Sequence, residues 1–337
     1  MATVNLVIDI GSSLTTIYKE GEGIVLHEPS VVIITGDEKS YKMTDFGLDA
    51  YNQIAVLQPG HKVLYPIQEG AITYKKATLK MMEYFLGKII VRSDYFFKPK
   101  VRAFLNVPCG SGVEERKLFE EVLYAAGVDE TFMLDAPIFA AYGAGIPITK
   151  RPELVVDIGG GIVDIALINN GGIIKGCSYG LGGIAVDNGI IEGLENSLAL
   201  QVGLITSESL KKEIGSLYEN ENASVSVFGK NTVSGNPKSS LVTTKHVRTM
   251  IEYYYGKIAD LIKAFMKDLP NDVFSQLAEN GIIITGGGAC MRGIETFMQN
   301  KLKTNVIVPT SCEYSSVLGG ARLLANPKKL NELLGLM

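Results

Sequence analysis

The chain has 337 residues, 46% of them hydrophobic and 20% charged, with a formal net charge of -4 and a pI near 5.6. That length allows two domains of ordinary size and excludes a single small module, while the apolar content excludes a disordered chain. A mildly acidic protein gives no reason to expect nucleic acid, whose binding is driven by clustered Lys and Arg.

The first apolar stretch, Val4 to Ile10, reads as a buried strand that carries Asp9 near its end and turns through Gly11 into a returning run from Leu14 to Tyr18. It has no basic n-region and no small-residue cleavage site, so it is not read as a signal peptide. Lys75 to Ile90 and Val113 to Ala126 show helical apolar spacing, and Lys100 to Val107 reads as a strand ending at Pro108. Ile146 to Pro152 is a crossover. The opening pattern then returns: Leu154-Val-Val-Asp157 leads through Gly159-Gly160-Gly161 into an apolar run from Ile162 to Ile168. Gly183 to Leu200, Ser207 to Leu217 and Thr244 to Leu269 read as helices, with Gly229 to Lys238 as a surface loop. Gly281 to Thr285 is a strand, Gly286-Gly287-Gly288 a turn and Met291 to Lys301 a helix. Alternating strands and helices in both halves predict two α/β domains.

No apolar run reaches the roughly 18 residues needed to cross a bilayer. Cys109, Cys177, Cys290 and Cys312 form no CxxC pair and have no His at ligand spacing, so neither a zinc site nor a disulfide framework is expected, only reduced thiols inside the cell.

The two glycine turns are followed by β-rich sequence, which excludes the strand-turn-helix of a Rossmann fingerprint, and no GxxxxGK[ST] loop occurs. Two strand-turn-strand hairpins suit a nucleotide held between them. Glycine turns let backbone N–H groups close on phosphates, and an acid on each side can hold a magnesium ion through its waters. Asp9 and Asp157 are the metal-facing candidates, and Gly11, Ser12, Ser13, Gly160 and Gly161 the phosphate-lining ones. A third glycine turn, Thr285-Gly286-Gly287-Gly288-Ala289, strengthens the constellation.

In order, Asp9-Ile-Gly-Ser-Ser, Asp135-Ala-Pro-Ile-Phe-Ala-Ala-Tyr-Gly-Ala-Gly, Asp157-Ile-Gly-Gly-Gly, Lys211-x-Glu-Ile-Gly215 and Thr285-Gly-Gly-Gly-Ala-x-Met-Arg-Gly293 resemble the actin, heat-shock-chaperone and sugar-kinase superfamily. Within it the bacterial MreB family is the nearest match, through Gly23-Ile-Val-Leu-His-Glu-Pro-Ser-Val-Val32, Val107-Pro-x-Gly with Glu114-Glu-Arg116, and Gly229-Lys-Asn-x-Val-Ser-Gly-x-Pro237. The resemblance spans about Val4 to Leu324. It implies an α/β actin-like fold of two duplicated domains, 1–146 plus 322–337 and 147–321, each with a mixed five-stranded sheet, enclosing a nucleotide cleft. It implies ATP or ADP with Mg2+ as cofactors, Glu208 and Lys211 near ribose and adenine, and Gly287 and Gly288 beside the adenosine, with Leu14, Gly159, Gly183 and Ala289 completing the nucleotide-binding set. Without the resemblance, a Glu and a Lys three apart are a solvated helix face.

Two departures fall on hydrolysis. Family members place a water-orienting Glu where this chain has Ala136, and a γ-phosphate-sensing Thr where it has Ile162. No catalytic residue is therefore assigned, and ATPase activity is expected to be slow or lost. The segment Ser93-Asp-Tyr-Phe-Phe-Lys-Pro99 concentrates aromatics in a loop, and exposed contiguous apolar surface invites association. In the family the matching loop can dip into the membrane, which makes Tyr95, Phe96 and Phe97 membrane candidates. The resemblance thus implies a cytoplasmic filament that assembles with itself or with paralogues on the inner membrane face, for cell shape or motility. A plasmid-partitioning filament and a small-molecule kinase of the same fold are the alternatives.

Overall fold

The computed structural model describes residues 2–37, 40–91, 97–146, 148 and 150–335. Two five-stranded sheets carry the fold, and they share one topology. In the first, Thr3–Ile10 pairs antiparallel with Leu14–Lys19, which pairs antiparallel with Gly23–Pro29; on its other side Thr3–Ile10 runs parallel to Lys100–Val107, and that strand parallel to Glu130–Asp135. In the second, Glu153–Ile158 takes the central place, with Val163–Asn169 and Gly172–Tyr179 antiparallel on one side and Ile282–Thr285 and Val306–Ile307 parallel on the other. The middles of the central strands, Leu6 to Ile8 and Leu154 to Val156, are continuously apolar because both faces of each sheet are covered. Leu6, Val7, Ile8, Leu154, Val155 and Val156 are all fully buried.

Helices Lys75–Ile89 and Val113–Ala125 cover the first sheet with Met81, Phe85, Phe119 and Leu123. Gly183–Leu198, Leu204–Ile214 and Thr244–Lys267 cover the second, the last burying Val247, Ile251, Tyr255, Ile258 and Ile262 at helical spacing.

The short helix Ala136–Ala144 belongs to both halves. Its Ile138, Ala140 and Ala141 pack with Val155, Ala166 and Ile283 of the second sheet, while Phe139 packs with Val7 and Phe104 of the first and with Val317 and Leu323 of the helix Ser315–Leu324. These two helices meet backbone to backbone. A Cβ on Gly143 would overlap the Ser315 carbonyl, and one on Gly319 would overlap the Phe139 carbonyl. Pro137 in its first turn and left-handed Gly145 just past its end set its limits.

Three expected boundaries move. Gly229 to Lys238 is mostly not loop: Ser224–Asn231 and Pro237–Thr243 form a hairpin in which Gly229 pairs with Lys238. Gly229 is a strand glycine, because a Cβ there would overlap the Gln201 carbonyl of the neighbouring strand Leu200–Gln201. The helix placed at Ser207 to Leu217 runs from Leu204 to Ile214, and the one placed at Met291 to Lys301 starts at Ile294, after the 3-10 turn Gly287–Cys290.

Candidate functional site

The turns of the two central hairpins face each other. In the first, the Gly11 amide donates to the Leu14 carbonyl at 3.0 Å, and in the second the Gly159 amide donates to the Ile162 carbonyl at 2.8 Å, the same closure at the same place. Across the hairpins Asp9 stands opposite Thr16, and Asp157 opposite Asp164. The tips are so close that a Cβ on Gly160 would overlap the Ser13 side chain and one on Gly161 that of Ser12. Glycine at 160 and 161 is thus demanded by the opposite half of the molecule. Ser12 Oγ in turn accepts from the Gly70 amide at 3.0 Å. The helix Gly183–Leu198 starts against the second tip, its Gly183 and Ile184 amides donating to the Gly159 and Gly160 carbonyls at 2.9 and 2.8 Å.

Between the tips lies a cavity of about 390 Å³, within the roughly 300–1,000 Å³ of small-molecule sites. Asp9, Gly11, Ser12, Ser13 and Leu14 line it from one half, Asp157, Gly159, Gly160, Gly161 and Gly183 from the other, and Glu208, Lys211, Gly287 and Gly288 complete it. Ala289 does not line it. That residue, within the turn Gly287–Cys290, is buried with its side chain in the second core.

The acids are held against their ordinary ionisation. Burial, then the charge of Asp157, pushes Asp9 up to about 7. Burial pushes Asp157 up to about 6, against hydrogen bonds from Thr285 Oγ1 at 3.2 Å and Ser316 Oγ at 3.4 Å. Burial likewise pushes Asp164 up to about 7, although it accepts from the Cys109 amide at 3.1 Å and from Ser178. A cation beside such carboxylates would let them ionise. Asn106, which bonds Asp9, also lines the cavity and keeps a buried Oδ1 without a protein partner. Among the described residues no group of three or more His, Cys, Asp or Glu could hold a metal ion directly, so the donor set suits an ion completed by water and anion oxygens.

Glu208 and Lys211 are not a solvated helix face. Lys211 Nζ donates to Asp187 Oδ2 at 2.7 Å and to the Gly183 carbonyl at 3.0 Å. Glu208 accepts from Lys212 at 2.6 Å and from the Tyr51 hydroxyl at 3.1 Å. Tyr51 sits on the helix Gly47–Gln53 of the first half, so this bond spans the cleft. Burial, then Glu208, pushes the Tyr51 hydroxyl up to about 12, which keeps it a donor at neutral pH. A hydrogen bond to a charged acceptor contributes about 1.5–3 kcal/mol when buried and less when half-open. Tyr51→Phe should therefore widen the unliganded molecule in small-angle scattering and shift ligand affinity by no more than about tenfold. An unchanged scattering profile would mean that the bond does not hold the cleft.

Ala136 and Ile162 both line the cavity, as their places in the motifs require. Phe97 is 71% exposed, ahead of the strand Lys100–Val107; Tyr95 and Phe96 lie outside the described residues. Sequence reasoning missed Tyr51, Asn106, Asp164, Asp187, Thr285 and Ser316. Asp164 could have been found by writing out the second hairpin's register, which sets it across from Asp157; the others are brought in by tertiary contacts between distant segments.

Two sheets of one topology, joined at the base helix Ala136–Ala144 and closing glycine hairpins on a shared cavity, define an actin-like protein. A family model described as MreB/Mbl protein matches residues 3–332. The chain belongs to the MreB/Mbl family. It is 30% identical over 319 residues to the cell shape-determining protein MreB of Escherichia coli (strain K12), covering 93% of this chain and 91% of that one. It is also 30% identical over 326 residues to the cell shape-determining protein Mbl of Bacillus subtilis (strain 168), covering 96% of both. Among solved structures, MreB 5 of Spiroplasma citri bound to AMPPNP superposes with a TM-score of 0.90 at 25% identity, covering 98% of this chain and 99% of that one. The MamK double helical filament superposes at 0.78 with 19% identity over 96% of this chain and 99% of that one, a likeness of fold.

Proposed function

We propose that this protein is a bacterial actin-like cytoskeletal subunit that binds ATP or ADP with Mg2+ in the cleft and polymerises with itself, for cell shape or motility. The observation that carries the reading is the pair of facing hairpin turns, each closed by the same glycine hydrogen bond and each carrying one raised acid, Asp9 or Asp157. The residues 1–146 with 322–337 and 147–321 act as its two lobes, and the helix Ser315–Leu324, which straddles their last boundary, packs against the first sheet through Val317 and Leu323. When bound, the nucleotide and its magnesium supply the negative and positive charge that the cleft accommodates. Gly11, Ser12, Ser13, Gly160 and Gly161 line the phosphates, Asp9 and Asp157 orient the ion's waters, and Gly183, Glu208, Lys211, Gly287 and Gly288 face the nucleoside. That S. citri MreB 5 was solved bound to AMPPNP, at near-complete coverage, supports the assignment. Calorimetric titration of nucleotide-free protein with ATP and magnesium, followed by electron microscopy, tests it. No heat and no filaments would remove it, and filaments that require a DNA-adaptor complex would favour a partitioning role.

We place the filament on the inner face of the cell membrane, anchored by Tyr95, Phe96 and Phe97. No helix among the described residues is long and apolar enough to cross a membrane, so attachment would be peripheral. Fully burying one such side chain contributes roughly 1.5–3 kcal/mol, and two phenylalanines therefore give about millimolar affinity for a single subunit. Attachment should depend on polymerisation, which presents many loops at once. Phe96→Ser with Phe97→Ser should abolish filament co-sedimentation with liposomes while leaving filaments intact; unchanged co-sedimentation would exclude the loop as anchor.

A further inference from the structure

Cys290 and Cys312 bring their sulfurs to 3.2 Å in the wall of the cleft. Cys290 ends the 3-10 turn Gly287–Cys290, is exposed and lines the cavity, whereas Cys312 opens the 3-10 turn Cys312–Tyr314 and is buried. Their turns are fixed side by side, since the Gly286 amide donates to the Cys312 carbonyl at 2.9 Å and the Tyr255 hydroxyl holds the Gly288 carbonyl at 2.7 Å. An S–S bond is about 2.05 Å long, so the sulfurs need to approach by only about 1 Å. Such a shift is small for two one-turn segments. The other two cysteines, Cys109 and Cys177, line a separate cavity.

We propose that Cys290 and Cys312 are a reversible dithiol–disulfide pair, oxidised by low-molecular-weight disulfides while the cleft is open and shielded when nucleotide fills it. The shielding rests on the nucleotide reading above; the pairing does not. In the first step the Cys290 thiolate, which solvent reaches, attacks one sulfur of the reagent RSSR; the reagent's S–S bond breaks and RS⁻ leaves, taking up a proton as RSH. In the second, the Cys312 thiolate attacks the Cys290 sulfur of the mixed disulfide and expels the second RSH. Two electrons pass from the cysteine pair to the reagent, and two thiol protons end on two RSH. The contact between the two sulfurs holds the Cys312 thiol below its usual range and pushes the Cys290 thiol up, so the resolving thiolate forms the more readily of the two and the first attack by Cys290 should quicken as pH rises. In a reducing compartment the bond would be transient, as thiol-based switches are.

The test uses the full chain, reduced and freed of nucleotide, with glutathione disulfide as probe. The protein should lose two of its four thiols and the mass of two hydrogens, peptide mapping should join Cys290 to Cys312, and dithiothreitol should reverse the change. The Cys312→Ser variant should instead accumulate one glutathione on Cys290, because nothing resolves the mixed disulfide. A nucleotide at a hundred times its Kd leaves about one site in a hundred open, so ATP with magnesium should slow oxidation of the wild type roughly ten- to a hundredfold. No loss of thiols, or a link through Cys109 or Cys177, overturns the pairing. A disulfide that forms equally fast with and without nucleotide, in protein whose binding calorimetry has verified, overturns the shielding alone.

Discussion

Ala136→Glu combined with Ile162→Thr is expected to raise the rate of phosphate release about 100- to 1,000-fold over the wild type. A side chain that positions the attacking water, or a hydrogen bond made only as charge develops on the transferring phosphoryl group, is commonly worth about 2.7–4 kcal/mol. Both positions line the cavity, Ala136 from the first turn of the base helix and Ile162 from the end of the second glycine turn. Nearby acids are committed elsewhere. Asp135 is engaged by Arg116 at 2.6 Å, and Asp164 by the Cys109 amide and Ser178. Ile162 also closes on the opposite half, for a Cβ on Gly70 would come within 2.9 Å of its Cδ1, so a shorter Thr fits the space. In the wild type, ATP would then act mainly as a ligand that closes the lobes. Wild-type turnover as fast as that of the double variant would show that another residue positions the water.

Asp157→Ala should weaken magnesium-dependent ATP binding about 10- to 100-fold, the usual cost of losing a carboxylate that orients a metal's shell. The empty protein should not be destabilised to match, because Asp157 is buried beside Asp9 and its charge helps raise that residue's pKa. The pH dependence has the same origin. An acid whose folded pKa lies above its unfolded value makes the folded state the better proton binder, so the contribution of these two acids to the empty protein's stability is greatest below the ordinary Asp value of 3.8 and is lost as pH rises through about 6 to 7. Loading a cation requires the carboxylates ionised, so affinity should climb over the same window, by up to about tenfold per pH unit for each proton released. Calorimetry of both proteins between pH 5.5 and 8 would check this, and a flat wild-type profile would sink it.

The duplicated hairpins were legible because the information is local: an apolar strand, an acid, glycine and a returning strand repeat in Asp9–Leu14 and Asp157–Ile162. The glycines of the second turn were read as phosphate-lining, yet the structure gives them a second reason to lack side chains, the contact with Ser12 and Ser13 from the other half. No single-segment pattern carries that contact. Tyr51 and Glu208 meet across 157 positions, and Ser316 and Asp157 across 159, so neither pair leaves a periodic trace. Gly229 misled for the opposite reason. Glycine punctuates loops and also marks backbones in contact, and only the neighbouring strand decides between the two. Ala289 was carried along with its glycine neighbours, but a 3-10 turn points successive side chains in different directions, and this one points into the core.

Where Gly143 and Gly319 cross, main chain rests on main chain, with no side chain between to change rotamer. Elastic compliance in this molecule must therefore lie elsewhere, and at the mouth of the cleft, away from the Cys109 contacts with Asp164 and Ser178, the halves are linked by the half-open Tyr51–Glu208 hydrogen bond. A body that is stiff at the pivot and soft at the jaws behaves as tongs. Little of the work done by a ligand closing the jaws is lost as slack at the joint, and the angular change arrives nearly whole at the outer ends of the lobes, where a neighbouring subunit would grip. Hydrogen exchange should find the amides of Phe139 to Gly143 among the slowest in the chain whether or not the cleft is filled, with ligand-dependent protection confined to the jaws; fast exchange at the crossing would place the give in the joint itself.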